Sequence, residues 1–130
     1  MGIVPLLGDE EVSEAAHAVF DDIRSTRDTD FINNFWRALA NDPTTLKRTW
    51  ESLKEVMAPG ALYAQTKELI YLAVSITSGC AYCTAAEAKR LGMTKETLGE
   101  LIAVVAMANE TNRLADGYRV PVDERFENLF

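Results

Sequence analysis

Apolar residues return at steps of three and four along most of the chain, and no long stretch alternates apolar with polar residues as a half-buried strand would. The pattern therefore commits the chain to helices packed on one another, an all-α fold of about six helices. From Asp9 to about Arg27 the stripe is Val12, Ala15, Ala16, Val19, Phe20 and Ile23, with acids in the first turn to suit the helix dipole. Phe31, Ile32, Phe35, Trp36 and Leu39 predict a shorter second helix that stops before Asp42-Pro43. There Asp42 can cap and Pro43 can take the first position of a third helix, which carries Leu46, Trp50, Leu53 and Val56 and ends near Ala58-Pro59-Gly60. A fourth runs from about Leu62 to Thr77, and its middle is apolar around most of its circumference. That pattern suits the centre of a domain or a subunit interface. After Ser78-Gly79 a fifth covers about Cys80 to Leu91 and closes at Gly92. Thr94 caps a sixth that reaches about Ala115. The tail Val120-Pro121-Val122 is expected to be extended, and Phe126, Leu129 and Phe130, costly to leave in water, to dock on the chain's own core or on a neighbour.

A chain of 130 residues suits a single domain spanning 1–130, and can bury roughly two-thirds of its unfolded surface without a disulfide staple. Its net charge of -7 would be repelled by nucleic acid and by an anionic membrane surface, so neither is expected as a partner. The start lacks the basic region of a signal peptide, and the longest apolar run, Leu69 to Ile76, is too short to span a bilayer. A cytoplasmic location is expected, where two thiols stay reduced or cycle.

Those thiols are Cys80 and Cys83, which are all the cysteines of the chain, set two residues apart in Ser78-Gly79-Cys80-Ala81-Tyr82-Cys83. At a helix start this spacing lets both sulfurs meet in a small disulfide ring. A four-ligand zinc site is excluded, because the one histidine, His17, cannot complete it, and neither a metal nor a cofactor is expected. The thioredoxin fold is excluded too, since it needs strands on either side of the motif helix. If Gly79 turns the chain and Cys80 opens the fifth helix, unpaired N–H groups favour a thiolate there. Such settings lower a thiol pKa from about 8.5 to roughly 3.5–7.5. A thiolate that attacks a peroxide becomes a sulfenic acid, and a second thiol within reach condenses with it to a disulfide, releasing water. The competing interpretation is two inert buried cysteines. Glu68 lies twelve residues before Cys80. If the fourth and fifth helices form an antiparallel hairpin, Glu68 returns to the far part of the fifth helix; alone it would be a solvated charge paired with Arg90 or Lys89.

Lys67-Glu68-Leu69-Ile70, the step of twelve to Cys80, Cys80-Ala81-Tyr82-Cys83 and the following Ala85-Ala86 resemble the alkylhydroperoxidase D-like proteins of the carboxymuconolactone decarboxylase superfamily. The resemblance covers about Pro43 to Ala106. It implies an all-helical domain that assembles as a trimer, dimer or hexamer, with the glutamate and both cysteines lining a small pocket. It further implies that Cys83 meets the peroxide, that Cys80 resolves it, and that Glu68 belongs to a proton relay. A partner dithiol protein, often one carrying lipoamide, would then reduce the pair. An apolar fourth helix and tail point to a homo-oligomer independently.

The chain departs from that pattern at the relay histidine, whose position four residues after the second cysteine is Glu87 here, and at Tyr82, which is histidine in some members. Glu87 lies one turn after Cys83 and can face the same pocket. An ionised carboxylate raises a neighbouring thiol's pKa, whereas a histidine can accept the thiol's proton. Glu68 and Glu87 meeting in a dry pocket can share one proton and supply a base. They can equally bind a metal or polar ligand, or Glu87 can face solvent beside Lys89 and Arg90. Tyr82 can donate to a substrate oxygen or thiolate, or simply pack. His17 suits the relay only if the first helix reaches the pocket. Trp36, Trp50, Phe31 and Phe35 are expected in the core. The leading expectation is a thiol-dependent peroxidase or disulfide oxidoreductase. The alternatives are a non-redox lyase or decarboxylase-like enzyme using Glu68 and Glu87 on a small carboxylated substrate, and a helical oligomeric binding protein.

Overall fold

A computed structural model of the chain describes residues 2–123 and 126. Among them all regular structure is helical, in six α-helices: α1 Glu14–Arg27, α2 Asn34–Leu39, α3 Pro43–Met57, α4 Ala64–Thr77, α5 Ala81–Arg90 and α6 Lys95–Gly117. They fall into two compact units, Met1–Ala58 and Pro59–Phe130.

In Met1–Ala58, α1 starts later than its acidic lead-in suggests. Ser13 is the cap, its hydroxyl accepting the Ala16 N–H at 3.2 Å. Asp9 is held instead by Arg24 at 2.7 Å, which keeps its carboxyl below the usual range. Asp42 caps α3 through the Thr45 N–H, with Pro43 in the first turn as expected. Ala16, Val19, Phe20 and Ile23 of α1 pack with Ile32, Trp36, Ala40, Leu46 and Trp50 to form the core. Trp36 and Trp50 meet edge to face at 5.4 Å, and the Trp50 indole donates to Asp22 at 2.6 Å. Phe31 and Phe35 are exposed, a correction to their expected place in the core. Phe31 precedes α2, outside the helical register that its spacing suggested, and Phe35 covers only the edge of Trp36 at 4.9 Å.

In Pro59–Phe130, α4 and α5 form an antiparallel hairpin, and α6 packs on α4. The turn is made by Ser78, Gly79 and Cys80. Gly79 takes φ +71°, a left-handed conformation natural to glycine, and the Cys80 N–H then donates back to the Ser75 carbonyl at 3.0 Å. Asn109 of α6 donates to the Thr77 hydroxyl at 3.2 Å, tying α6 to the end of α4. Gly92 closes α5, again with positive φ, and Thr94 caps α6, which runs two residues past the expected Ala115. Leu72, Ser75, Glu87 and Val105 are buried. Elsewhere on α4, Ile70, Tyr71 and Val74 are exposed. Residues 120–122 form no regular element, and Phe126 is about half exposed rather than sunk in the chain's core. Leu129 and Phe130 lie outside the described residues. No helix among the described residues is long and apolar enough to cross a membrane.

Candidate active site

The cysteines sit where the hairpin turns. Cys80 is the N-cap of α5 rather than its first residue, and its sulfur accepts the Cys83 N–H at 3.2 Å. A sulfur in that place stands in for the Ser or Asp oxygen of an ordinary cap, and the helix N-terminus favours negative charge on it. Cys80 and Cys83 are joined by a disulfide with their Cα atoms 5.3 Å apart. Both residues are half-buried.

Antiparallel return of the chain brings Glu68 of α4 to the far end of α5. There one guanidinium nitrogen, Nη2 of Arg90, donates to Glu68 Oε2 and, at 2.7 Å, to Glu87 Oε1. The Glu87 residue is only 7% exposed, which removes the solvent-facing reading of it. Burial is the main reason that its carboxyl is pushed up to about 7, and a hydrogen bond with the Glu68 carboxyl pushes the same way; Arg90 pulls against both. For Arg90, burial works against the charge, but the two carboxylates outweigh it and hold the guanidinium more firmly protonated than usual. Two carboxyls and one cation thus make a cluster in which one proton is held near neutral pH. The cation between the carboxylates is Arg90 itself, and no group of three or more candidate metal ligands occurs among the described residues. Glu87 follows Cys83 by four residues on α5, so both lie on one face of that helix.

The family model for the carboxymuconolactone decarboxylase family matches residues 43–123, which take in α3, the hairpin and α6. The chain belongs to this family. A solved structure described as an alkylhydroperoxidase AhpD core from Rhodospirillum rubrum is 49% identical, covers 97% of each chain, and superposes with a TM-score of 0.90. This family member is therefore alkylhydroperoxidase D-like in sequence as well as fold. A search of curated proteins returns no match.

Of the residues singled out beforehand, the structure groups Cys80 with Cys83, and Glu68 with Glu87. Tyr82 lies between the cysteines on the first turn of α5 and is exposed. His17 is held within its own unit by Asp21 at 3.2 Å and Asp9 at 3.7 Å. Arg90 is the member that sequence reasoning assigned no part in the site beyond pairing or offsetting charge. Its spacing of three from Glu87 was the available signal, since residues three apart are neighbours on a helix. Two open surface clefts, one at Asn112–Val120 and one at Arg24–Asp30, are lined by none of these groups.

Proposed function

We propose that this chain is a thiol-dependent peroxidase that reduces hydroperoxides with its CxxC pair. The observation that carries the reading is the Cys80–Cys83 disulfide capping α5, on the same hairpin as a buried carboxyl poised near neutrality. The 49% identity to a protein described as an alkylhydroperoxidase core supports it over the lyase and binding alternatives.

In the reduced protein the Cys83 thiol gives its proton to the Glu68–Glu87 pair. The thiolate attacks the terminal peroxide oxygen: an S–O bond forms, the O–O bond breaks, and the alkoxide leaves with a proton from the carboxyl pair. Cys80, favoured as a thiolate at the N-cap, attacks the Cys83 sulfenic sulfur. A disulfide forms and hydroxide departs, taking up the proton lost from Cys80 to become water. Two thiols and one hydroperoxide thus become one disulfide, one alcohol and one water. Two electrons and two protons from a partner dithiol protein, lipoamide-bearing proteins being one class, restore the thiols. In this reading Tyr82, exposed beside the pair, donates to the incoming peroxide. A cytoplasmic location suits such a cycle. The exposed apolar side of α4 suits a homo-oligomer, as a trimer, dimer or hexamer.

The test is turnover of an alkyl hydroperoxide with a dithiol reductant. Cys83→Ser is expected to abolish it, and a Cys83→Ser protein with full turnover would refute the mechanism.

A further inference from the structure

The cluster at the far end of the hairpin contains more than a relay of carboxyls. Arg90 Nη2 is shared between Glu68, which comes from α4, and Glu87, which comes from α5. An ordinary surface ion pair on a helix joins two residues of that helix and is worth little. Here a single nitrogen bridges two helices, and the carboxylates it bridges are largely shielded, with side-chain exposures of 15% for Glu68 and 9% for Glu87.

We propose that Arg90 is the positioning residue of the site: its guanidinium binds the Glu87 and Glu68 carboxyls into one proton-exchanging unit that serves Cys83. The inference rests on the peroxidase reading and deepens it. Two shielded carboxylates without a cation would repel each other and hold a proton tightly. Such a pair could not take a proton from a thiol at neutral pH. With Arg90 between them, the cluster of two ionised carboxylates and one guanidinium carries one net negative charge. It becomes neutral on accepting the thiol's proton, and returns to its starting state on handing that proton to the alkoxide. The charged side chains that act most strongly on Glu87 are Glu68 from α4 and Arg90 from α5. Burial and the bond to Glu68 raise the Glu87 carboxyl, and Arg90 opposes them. The guanidinium therefore decides whether the pair is a base or a store of a proton that does not leave. In this chain, the cation that a histidine would become on protonation is replaced by a permanent one, set beside two carboxyls.

The experiment is a carbon-13 titration of the glutamate carboxyls in the full-length reduced protein, with Glu87 assigned through Glu87→Gln. It is run on the wild type, Arg90→Gln and Arg90→Lys beside the pH profile of alkyl hydroperoxide turnover. Arg90→Gln is expected to raise the Glu87 midpoint by about one pH unit or more, because an opposite charge this close lowers a carboxyl by about one to three units. The alkaline shift should appear in the turnover profile too, and Arg90→Lys should restore most of both. A Glu87 midpoint that stays put in an Arg90→Gln protein of native helical content would overturn the proposal. So would a fall in turnover with no movement of the pH profile, which is the mark of a purely structural residue. If Arg90→Gln does not fold, the wild-type titration decides: a Glu87 midpoint near the ordinary value of about 4.3 would rule out the shared proton. A raised wild-type midpoint that Arg90→Gln moves, in a protein that turns over no peroxide, would defeat the peroxidase reading while leaving the clamp standing.

Discussion

Glu87→Gln should remove a pH dependence of stability that the wild type owes to one buried carboxyl. In the folded chain that group titrates near 7, against 4.5 for an unperturbed one, so between these values the native state holds a proton that the unfolded state has released. Stability then falls as pH rises through this window and levels off above about 7, because the native state binds more protons there. Across the window each pH unit costs about 1.4 kcal/mol, which puts the loss from this group at up to about 3 kcal/mol. Glutamine keeps the shape and an acceptor for Arg90 but cannot ionise. The assay is urea denaturation of the oxidised protein at pH 5, 6, 7 and 8, followed by far-UV circular dichroism. Wild type should lose about 2.5 kcal/mol relative to Glu87→Gln between pH 5 and pH 8, since pH 5 already lies inside the window. Wild-type and variant stabilities separated by a constant amount at all four pH values would refute the reasoning.

Two further substitutions probe the frame that carries the site. Gly79→Ala finds open space but must hold φ near +71°, so it should cost about 1–2 kcal/mol by the same denaturation assay; an unchanged midpoint would show that the turn tolerates another geometry. Leu72→Ala, which empties a fully buried position on α4, should cost about 2–5 kcal/mol, and a loss below about 1 kcal/mol would mean that the hairpin has little core of its own.

How far the sequence foretold this molecule follows how local each signal is. Asp42-Pro43 and Ala58-Pro59-Gly60 bound α3 closely, because capping and proline geometry act within a few residues. Asp9, Glu10 and Glu11 suggested the first turn of α1 on equally local grounds, yet Asp9 is engaged by Arg24, fifteen residues on, and the helix waits for Ser13. Periodicity placed Trp36 and Trp50 in the core correctly and Phe31 and Phe35 wrongly, since spacing says which residues share a face but not how far the partner surface extends. The Cys80-Cys83 spacing and Gly79 made the disulfide at a helix start legible. Proximity of Glu68 and Glu87 depended on the antiparallel return of α5, which the sequence offered only as a condition. The joint hold of Arg90 on both carboxyls lay a step further, because it needs the lateral packing of α4 on α5 as well as the spacing along one helix.

The central claim is that peroxide oxidises Cys83 and that Cys80 closes the ring. The most direct measurement is mass spectrometry of the fully reduced protein after one equivalent of an alkyl hydroperoxide, with a sulfenic-acid trap present, on the wild type and on Cys80→Ser. The wild type should give a Cys80–Cys83 disulfide and an equivalent of alcohol, and the variant a trapped sulfenic acid on Cys83. Free thiols in the wild type with the hydroperoxide unconsumed, or a sulfenic acid formed on Cys80 while Cys83 stays reduced, would contradict it.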